Sequence, residues 1–159
     1  MAMITIAPAG TADLDDLRAL FREYADWLQV GYCLKDFEAE LADLPGDCTP
    51  PAGGLWIVRA DGEVAGGVAL RPLGDGAAEM QRLWVRARYR GLKLGRGLAE
   101  AALEGAGAGG QRRVVLETLD FMTAAQALYA ELGFQEAPKG DAPDNVRKLV
   151  CDLTAAAPA

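Results

Sequence analysis

The residues best suited to chemistry lie in Val85-Arg86-Ala87-Arg88-Tyr89-Arg90-Gly91-Leu92-Lys93-Leu94-Gly95-Arg96-Gly97-Leu98. An apolar, strand-like run, Met80 to Val85, precedes it, and Leu98 to Glu104 after it is built from strong helix formers. A strand, a basic glycine-bearing turn and a helix therefore follow one another. That order aims the unpaired N–H groups of a helix N-terminus at whatever sits over the turn. Glycines admit a bulky anion close to the backbone, and Arg90, Lys93 and Arg96 add full charges. The chemistry is that of a diphosphate-binding turn; the other reading is an ordinary basic strand-to-helix turn. A nucleotide P-loop would need Gly-Lys-Ser/Thr at the helix start, which is missing. A dinucleotide fingerprint would need a third glycine where Glu100 stands.

Elements that could position this turn are legible along the chain. Ile4 and Ile6 begin a short strand stopped by Pro8 and Gly10, and Thr11 is expected to cap an amphipathic helix reaching Leu28. A second helix is expected from Asp36 to Leu44. Trp27, Val30, Tyr32 and Leu34 connect the two, either plugging the core or lining an acceptor pocket. Pro45 to Gly54 reads as a mobile loop near that pocket. Leu55 to Arg59, Val64 to Leu73 and Ala78 to Val85 form a three-strand meander, with Asp61-Gly62 as its first hairpin turn. The helix after the basic turn is expected to end in Gly105 to Gly110. Arg113 to Leu119 should then pair parallel to the Met80–Val85 strand. Thr123 is expected to cap a helix from Ala124 to Leu132, closed by Gly133 in a left-handed cap. Phe134 to Glu136 and Arg147 to Leu153 are the last strand candidates. Residues 1–159 read as one domain, with 155–159 as a frayed tail.

Composition bounds the function. The chain has 159 residues, 51% hydrophobic and 25% charged, as expected of a folded globular protein. Its net charge of -7 disfavours nucleic-acid binding, while the basic island from Arg82 to Arg96 suits a small polyanion. No run approaches the ~20 apolar residues of a membrane span, and Met1 to Ile6 is no signal peptide. Cys33, Cys48 and Cys151 are far apart and odd in number, which fits a reducing cytoplasm without disulfides or a zinc site. The chain has no histidine, so histidine-dependent triads and histidine metal sites are excluded.

Arg90 to Leu98 resembles the acyl-CoA turn of the GNAT-type N-acetyltransferases, whose core is Arg/Gln-x-x-Gly-x-Gly/Ala. Arg90 and Gly95 fill the outer places, and Lys93 replaces the middle glycine. Thr118 to Phe134 is similar to the segment that follows this turn in many bacterial members, a helix ending Leu-Tyr-x-x-x-Gly-Phe. The resemblance implies an α/β (α+β) fold: a mixed, mostly antiparallel sheet of six to seven strands, with flanking helices and a central parallel pair.

It also implies acetyl-CoA as cosubstrate, no metal, and direct transfer to an amine, with a small molecule favoured over a protein lysine or N-terminus. Backbone of Leu83, Trp84 and Val85, where the family's strand bulges and splays, would hold the cofactor. So would Arg90, Gly91, Leu92, Lys93, Leu94, Gly95, Arg96 and Gly97. Tyr129 would be the general acid beside the CoA sulfur, against the alternative of a ring packed in the core. Glu79, six residues before Val85, is the candidate base, against the alternative of a solvated strand end; Glu117 is a second candidate. Acidic residues Asp36, Glu38, Glu40, Asp43 and Asp47 could attract a cationic amine, and Lys139 to Asn145 could edge its site. A homodimer is common in the family. A non-catalytic acyl-CoA sensor, which would need neither Glu79 nor Tyr129, stays open, as does a plain interaction protein.

Overall fold

The computed structural model describes residues 3–28, 34–138 and 140–153. In chain order its strands are β1 (Ile4–Pro8), β2 (Gly54–Ala60), β3 (Glu63–Gly74), β4 (Ala77–Val85), β5 (Arg113–Leu119), β6 (Gln135–Ala137) and β7 (Val146–Asp152). The helices are α1 (Leu14–Leu28), α2 (Leu34–Asp43), α3 (Leu94–Ala108) and α4 (Thr123–Glu131). All seven strands join one sheet in the order β1-β2-β3-β4-β5-β7-β6. Every neighbouring pair is antiparallel except β4 and β5, which run parallel across the α3 crossover. This is the expected mixed sheet with its central parallel pair.

Local chemistry explains the tight joins. Asp61 and Gly62 both take positive φ, 52° and 84°, the twist that a two-residue hairpin between β2 and β3 requires. Two apolar layers sandwich the sheet. On one face Leu17, Leu20 and Phe21 of α1 and Leu41 of α2 pack on Leu55, Ile57 and Ala69. On the other, Leu94, Leu98, Ala102 and Ala106 of α3 cover Val58, Leu70, Ala78 and Val114, with Tyr129 and Phe134 beside them.

Four local expectations are corrected. Thr11 does not cap α1; it opens a 3-10 turn, Thr11–Asp13, whose first N–H, from Gly10, is taken by the Asp13 carboxylate at 2.9 Å. Thr123 is the first residue of α4, not its cap, and Met122 holds the cap position. α3 runs on through Gly105 and Gly107 to Ala108. A Cβ at Gly105 would collide with the Trp56 ring, so this glycine lets the helix settle on the sheet, and packing overrides its poor propensity. Finally, the Pro45–Gly54 loop is pinned by Gly53 N–H to the Thr49 carbonyl and by Gln111 to the Ala52 carbonyl. Its residues line an apolar hollow with β1 and the C-terminal end of α3, and they do not line the cavity that Tyr129 borders.

Candidate active site

β4 and β5 pair over only three positions, ending at Glu79 opposite Val115. Just beyond, Gln81 faces Ala69 and Trp84 faces Gly67, so Arg82 and Leu83 both lie opposite Val68. This β-bulge, with Arg82 at a φ of 57°, re-aims the end of β4 and parts it from β5. The bulge implied near Leu83, Trp84 and Val85 is therefore present, centred one residue earlier. Two cavities fill the opening. One, of about 370 Å³, is lined by Trp27, Trp84, Val85, Arg90, Gly95 and Phe121 among others. The other, of about 420 Å³, holds Glu79, Gln81, Glu117, Thr118 and Tyr129. Tyr24, Leu83, Met122 and Ala125 border both, so the two are one cleft.

The basic turn lies at the outer end of this cleft. Gly91 has a φ of 93°, and Lys93 is the N-cap of α3 in the left-handed region (φ 61°, ψ 28°). The family's middle glycine corresponds to the position where a glycine would be least strained. The first helical bond runs from Gly97 N–H to the Lys93 carbonyl, leaving the N–H groups of Leu94, Gly95 and Arg96 without helical acceptors. A Cβ at Gly95 would meet only Val85 Cγ2, at 3.9 Å.

Most of the basic island is neutralised. Arg82 pairs with Glu40, Arg86 with Glu23 at 2.9 Å, Arg88 with Glu63 at 3.6 Å, and Arg96 with both Glu100 and Glu131 at 3.6 and 3.5 Å. Among the described residues, Arg90 and Lys93 are the cations of the island without a carboxylate partner. Arg90 instead donates to the Val85 carbonyl at 3.1 Å and stacks its guanidinium 4.8 Å from the Trp84 ring centre. Of the remaining turn residues, Leu92 is exposed, while Leu94 is buried in the core. A Cβ at Gly97 would strike Ile6 Cδ1, so this glycine brings α3 close to β1.

The proton-transfer candidates converge from opposite faces of the sheet. Glu79 lies opposite Val115 in the parallel register, so Glu117, two residues on, projects to the same face. Tyr129 comes from α4 on the other face. Because the strands part beyond Glu79, all three line one cavity. Tyr129 is 7% exposed, with Phe134 edge-on at 5.6 Å. Burial, with a smaller contribution from nearby Tyr24, pushes its phenol far above the ordinary value of 10.0. Glu79 accepts hydrogen bonds from Arg71 Nη2 and Gln81 Nε2, each 2.8 Å and both at Oε1.

Residues unremarked in the sequence complete the walls. Glu23 of α1 accepts from Trp84 Nε1 at 3.2 Å and from Arg86 Nη2 at 2.9 Å, locking the end of β4 to α1. Burial raises the Glu23 pKa, but the Arg86 and Trp84 hydrogen bonds outweigh it and hold the carboxyl below its ordinary value. Trp27, 46% exposed, packs in a tilted arrangement with its ring centre 5.6 Å from that of Trp84 and 5.8 Å from that of Phe121, bridging the two lips of the groove. Trp27 thus lines the cofactor-side cavity, not the acceptor cavity; Val30 and Tyr32 lie outside the described residues, as does the side chain of Leu34. Glu40 borders the Tyr129 cavity, and Glu38 is bound to Arg22. Residues 140–145 do not line either cavity, and Lys139 and the 155–159 tail lie outside the described residues. Among the described residues no helix is long and apolar enough to cross a membrane.

Comparison with known proteins agrees with this geometry. The sequence profile of the Acetyltransferase (GNAT) family matches residues 14–134. An uncharacterised N-acetyltransferase of Schizosaccharomyces pombe is 36% identical over 125 residues, 77% of each chain. Another, from Escherichia coli, is 34% identical over 122 residues, covering 75% of this chain and 72% of the relative. A GNAT-family acetyltransferase structure from Staphylococcus aureus superposes with a TM-score of 0.80 at 20% identity, over 95% of this chain and 99% of the other. The PaiA N-acetyltransferase of Thermoplasma acidophilum, solved in complex with coenzyme A, gives a TM-score of 0.73 at 19% identity, over 94% and 99%. The chain belongs to the GNAT family of acetyltransferases.

Proposed function

We propose that this enzyme moves an acetyl group from acetyl-CoA directly to a primary amine of a small molecule, with both substrates bound together. The observation that carries this reading is the single cleft in which Glu79, Glu117 and Tyr129, drawn from both faces of the sheet, meet beside the groove at the basic turn. The groove fits the cosubstrate on three counts. Among the described residues, Arg90 and Lys93 have no carboxylate partner, three helix N–H groups lack helical acceptors, and the β5-facing edge of β4 has no ladder partner beyond Glu79.

When bound, acetyl-CoA supplies the activated thioester. The turn at Arg90, Lys93 and Gly95 would hold its diphosphate, and the open edge around Leu83, Trp84 and Val85 would offer backbone N–H groups to negative charge on the acyl oxygen. A free alkylamine has a pKa of about 10.4, so its proton must be removed before attack. Glu79 or Glu117 takes that proton, directly or through water. For Glu79 the geometry suits this: Arg71 and Gln81 both bind Oε1, which orients the carboxylate without engaging Oε2. Tyr129, kept protonated by its burial, gives a proton to the leaving thiolate. The cavity's modest volume, about 420 Å³, and its walls from α1 and α2 favour a small acceptor over a protein chain.

Release of free thiol from acetyl-CoA, followed across a panel of small amines, a lysine peptide and a peptide with a free N-terminus, tests the proposal. Turnover with small amines that Glu79→Gln lowers and elevated pH partly restores is expected. Turnover with peptides alone would assign a protein acetyltransferase. Cofactor binding with no turnover on any amine would assign a sensor.

A further inference from the structure

The donor groove and the acceptor cavity meet at a neck bordered by Tyr24, Leu83, Met122 and Ala125. Methionine is the most adaptable of these side chains, with three rotatable bonds and a weakly accepting sulfur. Here that freedom is removed. The Thr118 hydroxyl donates to Met122 Sδ at 3.5 Å, and the Leu119 N–H does so at 3.4 Å. Thr118 is the buried polar side chain of the described core, 5% exposed, and valine would fill its space equally well. The turn behind it is braced twice at the Leu119 carbonyl, by Met122 N–H at 2.9 Å and Gln126 Nε2 at 2.8 Å. A pinned thioether therefore stands where the two halves of the cleft join.

We propose that Met122, positioned by Thr118, sets the length of acyl chain this enzyme accepts. The inference rests on reading the cleft as the acyl-CoA and amine site. In direct transfer the acyl group is the part of the donor that passes between the two cavities, so a side chain at their junction meets its carbons first. A fixed methionine there leaves room for two carbons and blocks further methylenes. Were it mobile, the chain could extend along the apolar wall of Met80 and Leu116.

The test compares wild type with Met122→Ala, Met122→Leu and Thr118→Val, using acetyl-, propionyl- and butyryl-CoA. The readouts are kcat/KM ratios with an amine and calorimetric affinities without one. Wild type is expected to disfavour each added methylene by about tenfold or more. Met122→Ala should raise the butyryl-to-acetyl ratio about tenfold and tighten butyryl-CoA binding, while unacylated CoA binds as before. Met122→Leu, which keeps the bulk, should retain the wild-type ratio. Thr118→Val, nearly isosteric but unable to hold the sulfur, should shift the ratio in the same direction by less. Unchanged chain-length ratios in both Met122→Ala and Thr118→Val, with normal CoA affinity, would overturn the inference alone. Failure of wild type to bind unacylated CoA would overturn the acyl-CoA reading and this inference with it.

Discussion

At the scale of single residues, the cleft and its supporting walls shift two groups in opposite directions. Burial holds the Tyr129 phenol protonated well beyond its ordinary range. Because the folded pKa is raised, the folded state keeps its proton where the unfolded chain, titrating near pH 10, loses it. Stability from this group is full below about pH 10 and falls as pH rises above it. Tyr129→Phe should lose that alkaline slope, which urea unfolding midpoints measured between neutral and alkaline pH would show. Glu23 behaves oppositely. Its folded pKa is lowered, so its contribution is present above the ordinary carboxylate range and disappears as pH falls through the folded value. Glu23→Gln should cost about 1 kcal/mol near neutrality, since the site is partly exposed, and the difference from wild type should vanish in acid. The place of Tyr129 on the cavity wall agrees with the expectation from its local motif. Glu23, Thr118 and Met122 were not legible in the sequence, because their partners are set by the fold: Glu23 reaches Trp84 from the opposite end of the chain's first half.

At the scale of elements, α3 carries two readable compromises. Its N-cap, Lys93, sits in a left-handed conformation that costs an L-residue about 1–2 kcal/mol. Glycine there would remove that strain against an added entropic cost of about 0.5–1 kcal/mol. Lys93→Gly should therefore raise stability by up to about 1 kcal/mol in thermal unfolding, while weakening acetyl-CoA binding through loss of a cation. At the other end, Gly105→Ala would gain about 0.5–1 kcal/mol of helix propensity but drive a methyl group into Trp56. Overpacking costs about 1–3 kcal/mol, so the net change should be destabilising, and a raised melting temperature would contradict it. Sequence propensity foresaw a helix ending at the glycine run; the helix runs on to Ala108, and the proximity of Trp56 explains the glycine at 105. The three-strand meander and the parallel crossover, by contrast, follow from alternation of strand and helix and were legible, whereas the pairing of β1 with β2 and the insertion of β7 between β5 and β6 were not. The helix caps at Thr11 and Thr123 failed because a hydroxyl nearby in sequence says little about which N–H it can reach.

At the scale of the whole molecule, an acidic chain keeps two cations of one turn without a carboxylate partner among the described residues. Carboxylates from α1, α2, α3, α4 and the β2–β3 hairpin neutralise the arginines around them, an arrangement that sequence charge counting could not anticipate. The basic island was legible; the selection of Arg90 and Lys93 within it was not. Acetyl-CoA at about 100 times its Kd should add roughly 2.7 kcal/mol to unfolding stability. That gain should shrink as salt is raised, since the cations are exposed. The parting of β4 and β5, which the family resemblance implied but no residue showed directly, lets residues from both faces of the sheet share one cavity. That meeting of Glu79, Glu117 and Tyr129 is what the proposed chemistry depends on. It is tested most directly by thiol release from acetyl-CoA in wild type and Tyr129→Phe, with calorimetric CoA affinity measured alongside. Turnover lower by about 10²-fold at unchanged affinity is expected if Tyr129 is the acid. Wild-type turnover in Tyr129→Phe would contradict that role.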